Sequence, residues 1–132
     1  MIHDSWADRV LRISYGRALG QSATAQMQSD GSRLVVRYAN AYNTSVKVSL
    51  SGVPNDWHVA NVTVLKPPTD ADACMPHCSG SYYDRTTPAL AMCCSNPPGN
   101  PSLVAPAKGS MDGAAAFTAS PYSFTVVQFT KV

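Results

Sequence analysis

Residues 33–50 read RLVVRYANAYNTSVKVSL, and the period of this stretch decides the fold. Its first part, residues 33–39, is rich in β-branched and aromatic residues and follows the turn signal Asp30-Gly31. Its last part alternates cleanly, with Val46, Val48 and Leu50 on one face and Ser45, Lys47 and Ser49 on the other. Between them lies NAYN, whose asparagines suit a tight connection. Two period-two segments joined by a short polar link read as β-strands, because successive side chains of a strand point to opposite faces.

The same period recurs outward from this stretch. Residues 9–14 (RVLRIS) and 23–28 (ATAQMQ) are short and alternating. After the turn-forming GVPNDW, residues 59–66 (VANVTVLK) set Val62 and Val64 on one face and Asn61 and Thr63 opposite. The chain closes on AAAFTA (114–119) and YSFTVVQFT (122–130), the latter apolar on both faces and so expected as a central strand. No amphipathic helical pattern longer than about ten residues interrupts the series, so we expect an all-β, antiparallel β-sandwich of jelly-roll or Greek-key type. Residues 1–132 are expected as a single domain, with a Pro- and Cys-rich loop insertion at about 67–107 that holds most of the ten prolines.

Composition narrows the function classes. Charged residues make up only 14% of the 132, and polarity comes mainly from Ser, Thr, Asn and Gln, as in extracellular β-proteins. A net charge of +2 gives no argument for nucleic acid or for an anionic membrane surface. No stretch approaches the roughly 18 apolar residues that span a bilayer. The opening MIHDSWADRVLRIS lacks the apolar core of a signal peptide, so the chain is expected to be either cytosolic or a mature piece of something longer. All eight acidic residues are Asp and there is no Glu, which removes a good helix former and the commonest glycosidase and metalloprotease carboxylate.

All four cysteines, Cys74, Cys78, Cys93 and Cys94, fall in the insertion, with His77 among them. A zinc site needs four converging ligands, and the adjacent pair Cys93-Cys94 offers two of them poorly. A catalytic thiol paired with His77 would need one cysteine kept reduced among four. Disulfides fit best, since an even cysteine count in a low-charge β-domain points to an oxidising compartment. A bond between the neighbours Cys93 and Cys94 would be strained, so each is expected to bridge back to Cys74 or Cys78. Loops of this size contribute on the order of 3 kcal/mol each in the chain-entropy picture. Two N-x-S/T sequons, at Asn43 and Asn61, suit the same secreted setting as glycosylation sites, one in a turn and one on an outward strand face.

Three aromatics in loop-like sequence, Trp57, Tyr82 and Tyr83, are candidates for stacking on a sugar ring, although packing the loop onto the sandwich explains them more simply. His3, His58 and His77 are scattered. There is no G-x-S-x-G, P-loop or H-E-x-x-H, and no nucleophile, base and orienting group come together in the sequence, so neither a catalytic residue nor a cofactor or metal is expected.

The order of segments resembles the C-terminal β-sandwich of α-L-arabinofuranosidases of glycoside hydrolase family 51. GSRLVVRYANAYNTSVKVSLSGV is similar to the opening strand–turn–strand of that domain, in which the first strand ends on an Asn. VANVTVLKPP is similar to the strand that leads into a long excursion. NPPGNPSLVAPAKG resembles its return, through Asn96, Pro101, Val104 and Pro106, and ASPYSFTVVQFTKV its closing strand, through Pro121, Tyr122 and Ser123. The match covers about residues 20–132; related sandwiches accompany glucosylceramidase and heparanase-like families. The cysteine insert ACMPHCSGSYYDRTTPALAMCC has no counterpart in the pattern.

The resemblance implies a secreted enzyme that releases terminal arabinofuranose from arabinan, arabinoxylan or arabinogalactan with retention. Its two catalytic glutamates would lie in a (β/α)8 barrel preceding the sandwich, and no residue here can take either role. The resulting expectation is a non-catalytic accessory sandwich whose partner is that barrel and, at the cleft edge, an arabinose-containing polysaccharide. Two further readings stay open: a free-standing carbohydrate-binding module, or a structural protein of an extracellular assembly.

Overall fold

The computed structural model describes residues 7–16, 20–67 and 104–131. Among them are strands β1 (Arg9–Leu11), β2 (Gln21–Met27), β3 (Arg33–Asn40), β4 (Val46–Ser49), β5 (Trp57–Leu65), β6 (Ala107–Lys108), β7 (Ala116–Ala119) and β8 (Ser123–Lys131). They form a six-stranded sheet in the order β1-β2-β3-β8-β5-β6 and a two-stranded sheet of β4 and β7. Every pairing is antiparallel. The two sheets enclose one apolar cluster that includes Leu34, Val36, Tyr38, Val62, Phe117, Val127 and Phe129. The described residues contain no helix, in keeping with the period-two patterning.

The large sheet is organised around β3 and β8, which pair from Arg33↔Thr130 to Asn40↔Ser123. Leu34, Val36 and Tyr38 of β3 face the small sheet alongside Val127 and Phe129 of β8. On the opposite face Val35 and Val126 are also fully buried and pack with Ala7. Burial on both faces is why residues 122–130 read as continuously apolar, and β8 does lie centrally, between β3 and β5. Across the layers the Tyr38 and Phe117 rings meet edge to face, with centroids 6.0 Å apart, a geometry that adds about 0.5–1.5 kcal/mol beyond area burial.

Some boundaries differ from the sequence reading, for local reasons. Only residues 9–11 of the expected 9–14 strand pair with β2; the ladder ends at Leu11↔Ala25, and the following residues leave the sheet to line a cleft. β5 begins at Trp57, earlier than expected, because Trp57 and His58 find partners in Lys131 and Thr130 at the end of β8. A bulge between Val59 and Asn61 then shifts the phase of the strand. Trp57 and Val59 therefore face the core before it, and Val62 and Val64 after it.

Asn40, the last residue of β3, is buried and ties together the first and the last of the four crossings between the sheets among the described strands. Its Nδ2 donates to the Thr44 carbonyl at 2.9 Å, in the link from β3 to β4, and to the Ser120 carbonyl at 3.0 Å, in the link from β7 to β8. Its Oδ1 accepts from the Tyr42 amide at 3.1 Å. The second link is tightened further: Ser123 Oγ donates to the Ser120 carbonyl at 2.7 Å, and the Tyr122 amide to the Tyr42 carbonyl at 3.0 Å. Tyr122 holds φ +50° there, a left-handed conformation that costs an L-residue roughly 1–2 kcal/mol; the surrounding hydrogen bonds offset it.

The β2–β3 hairpin closes through Gly31 at φ +70° and Asp30, whose carboxylate accepts from the Ser32 amide at 2.9 Å. Asp8 accepts from the Ser29 amide at 2.6 Å, tying the approach to β1 onto this turn. Hydrogen bonding with the side chains of Ser29 and Ser32, and then with their amides, holds the Asp8 and Asp30 carboxyl groups below the usual carboxylate range.

Two predictions follow from these contacts. Asn40→Ala leaves two carbonyls and an amide without their partner; at about 1–3 kcal/mol for a buried group left unsatisfied, it should lower the unfolding free energy by about 3 kcal/mol in urea titration. Asn40→Asp should do no better near neutral pH, because a carboxylate cannot donate to the carbonyls. With folded pKa values depressed, Asp8 and Asp30 contribute stability above the ordinary carboxylate pKa that is lost as pH falls through their folded values. Wild type should therefore lose stability below about pH 4 more steeply than Asp8→Asn/Asp30→Asn, as read by melting temperature against pH.

Candidate functional site

The expected site residues distribute unevenly over the fold. Cys74, Cys78, Cys93, Cys94, His77, Tyr82 and Tyr83 lie outside the described residues. Asn43 is exposed in the bend between β3 and β4. Asn61 is exposed on the face of β5 turned away from the small sheet, and its Nδ2 lies 3.2 Å from Thr63 Oγ1 of the same sequon. Trp57 corrects the expectation of a loop position: it opens β5, is half-buried and packs against the core between the sheets.

Trp57 also lines one side of an open groove of about 510 Å³ with His58, Asn61, Lys108, Ser110 and Met111. The floor of this groove depends on Gly109, whose amide donates to the Val62 carbonyl at 2.8 Å. A Cβ at Gly109 would sit 2.7 Å from both Val62 Cγ1 and Val64 Cγ2, so only glycine lets the chain lie this close to β5.

A second opening, about 330 Å³ and mainly apolar, is lined by Leu65, Pro67, Val104, Tyr122 and Phe124. Pro67 and Val104 flank residues 68–103, so the excursion leaves and rejoins the sandwich at one place. The third opening, about 410 Å³, lies between the sheets: β2 and β3 contribute Ala23, Ala25 and Tyr38, and the end of β4 with its following turn contributes Val48, Leu50 and Val53.

The polar chemistry available is sparse. On the face of the large sheet away from β4 and β7, the Arg37 guanidinium donates to the Gln26 side-chain carbonyl, and burial lowers the Arg37 pKa. Burial likewise pushes the Tyr38 phenol up. Lys131 and Asp56 form an exposed ion pair at 3.3 Å, of the kind that contributes little. Among the described residues no three His, Cys, Asp or Glu side chains gather as for a metal ion, and none of the openings brings together a nucleophile, a base and an orienting group.

What the described surface offers is shape: an unequal two-layer sandwich with a groove at one side and a cleft between its layers. No protein-family model matches the chain, and no curated protein matches it by sequence. Solved structures do share the fold. A family 51 α-L-arabinofuranosidase from Bifidobacterium longum aligns with 94% of this chain at 16% identity and TM-score 0.56. The thermostable GH51 α-L-arabinofuranosidase of Thermotoga petrophila aligns with 88% at 20% identity and TM-score 0.52. A GH51 arabinofuranosidase from Xanthomonas axonopodis pv. citri aligns with 92% at 14% identity and TM-score 0.53. The chain spans only 20%, 20% and 21% of those proteins, respectively. Its fold is thus that of a part of GH51 arabinofuranosidases, the enzymes whose sandwich the order of its sequence segments resembles.

Gly109→Ala should cost about 1–3 kcal/mol, because Val62 and Val64 are β-branched, stiff at χ1 and already packed. Chemical denaturation checks the value, and a fully stable Gly109→Ala would contradict the close approach.

Proposed function

We propose that this chain is the non-catalytic accessory sandwich of a larger glycoside hydrolase of α-L-arabinofuranosidase type, and that its work is to support the catalytic (β/α)8 barrel and border the substrate cleft. The supporting observation is the asymmetry of the structural match: nearly the whole chain aligns, but with about a fifth of each enzyme. The missing four-fifths would hold the two carboxylates that retaining hydrolysis requires. The absence of Glu from the chain agrees with a supporting role.

The same reading includes secretion, disulfides joining Cys74 and Cys78 to Cys93 and Cys94, and glycans on Asn43 and Asn61. Disulfides formed in an oxidising compartment would staple the long Pro-rich stretch. Contact with an arabinose-containing polysaccharide, through Trp57 and the excursion's Tyr82 and Tyr83, belongs to it too. The groove beside Trp57 favours this contact, whereas the packing of Trp57 into the core keeps the indole from standing free as a stacking platform.

The test compares the isolated chain with the product of the full open reading frame. The full protein should release arabinose from an aryl α-L-arabinofuranoside, and the isolated chain should not. Deleting residues 20–132 from the full protein should lower its melting temperature by many degrees. A full-length protein without glycosidase activity, together with tight binding of the isolated chain to arabinan, would favour a binding module instead. Mass spectrometry without reduction should show four oxidised cysteines; four free thiols would oppose the secreted, stapled form.

A further inference from the structure

The large sheet has one edge that is only half covered. Its outermost strand there, β6, pairs with β5 at Thr63 and Val64, and the Gly109 amide after it donates to the Val62 carbonyl. Among the described residues no strand lies on that side of the first half of β5, from Trp57 to Asn61. The groove of about 510 Å³ runs along this half, with Trp57, His58 and Asn61 on the β5 side and Lys108, Ser110 and Met111 on the other. An uncovered strand edge is a template for unwanted pairing, and folded proteins blunt such edges with charges, bulges or a cover. The bulge between Val59 and Asn61 falls in this half.

The groove holds its own attachment point. Asn61 opens the sequon Asn61-Val62-Thr63 and is exposed, and its Nδ2 lies 3.2 Å from Thr63 Oγ1. The walls suit a pyranose ring. Trp57 and Met111 are half-buried against the core, so each offers its uncovered edge, not a free platform, to the C–H face of a sugar. His58, Lys108 and Ser110 are exposed beside them and supply hydrogen-bonding groups for hydroxyl and acetamido substituents. The volume falls within the range of small-molecule sites.

We infer that a glycan N-linked to Asn61 folds back into this groove and covers the open half of the β5 edge. The inference rests on the secreted, glycosylated form proposed above. The sugar donor is an oligosaccharide carried on a lipid diphosphate. Asn61 Nδ2 forms a bond to the anomeric carbon of the first acetamido sugar and gives up one proton to solvent. The bond from that carbon to the diphosphate oxygen breaks, and its electron pair leaves with the lipid diphosphate. The first sugars then lie against Trp57 and Met111, with His58, Lys108 and Ser110 bonding their polar groups. A covalent tether this short keeps the rings at high effective concentration, so weak contacts are enough to seat them. Asn43, exposed in the bend between β3 and β4, lines none of the three openings described above, so a glycan there has no such seat.

The test uses the full-length protein secreted from an N-glycosylating host, beside its Asn61→Gln and Asn43→Gln variants. Mass spectrometry should find Asn61 occupied. Peroxide should then convert Met111 to its sulfoxide at least about threefold more slowly than in Asn61→Gln, with the half-buried Met27 of β2 as the internal reference. The fastest amides of residues 58–61 should exchange at least about tenfold more slowly than in Asn61→Gln. Asn43→Gln should match wild type in both rates. Lys108→Ala with Ser110→Ala should keep the glycan and move both rates toward those of Asn61→Gln. An occupied Asn61 with Met111 and these amides as fast as in Asn61→Gln overturns the inference and leaves the secreted, glycosylated reading standing. So does a protein glycosylated at Asn43 but not at Asn61. No glycan at either sequon also overturns it, and four free thiols besides would overturn the secreted reading as well.

Discussion

A sandwich must carry its chain from one layer to the other, and here a single buried amide holds two of the four crossings among the described strands, the first and the last. The Asn40 side chain donates to Thr44 where the chain first leaves the large sheet and to Ser120 where it last returns. An amide can do this because it offers two N–H donors and a carbonyl on one short stem. No apolar residue satisfies these backbone groups, and a carboxylate lacks the donors. The position of β4 over the large sheet, the left-handed backbone at Tyr122 and the start of β8 all hang on this point. Burial of Phe117 and Phe129, each about 1.5–3 kcal/mol relative to exposure, drives the layers together; Asn40 sets where they are joined.

Much of the fold was legible because the signal was periodic. The alternation of Val46, Val48 and Leu50 survives through β4 and the residue after it, and the two-sided apolar character of residues 122–130 marked the centre of the large sheet. Failures came where a tertiary partner changed the local rule. The bulge in β5 reverses which parity faces the core, so Trp57 and Val59 are inward along with Val62 and Val64, and no single alternating pattern reveals this. Trp57 follows turn-forming residues and read as a loop aromatic; only the tail of β8, through Lys131, draws it into a strand. The short strand β6 leaves almost no pattern over two residues and depends on Gly109 fitting against Val62 and Val64.

Site legibility was poorer, for a physical reason. Catalytic chemistry announces itself through paired titratable groups, and this chain has few to pair. Asn40 was visible as the Asn that ends a resembling strand, but its contacts span 80 residues and could not be read from spacing. The cysteine stretch, the most conspicuous feature of the sequence, falls between Pro67 and Val104, which border one apolar opening.

The chain is an unequal sandwich with a cleft between its layers, and it shares its fold with a part of GH51 arabinofuranosidases that makes up about a fifth of each matched enzyme. The most direct measurement is an experimental structure of the full-length protein. It should show a (β/α)8 barrel with two glutamates at strand ends, packed against this sandwich. A full-length structure in which residues 20–132 form a sandwich with no barrel beside it would contradict that.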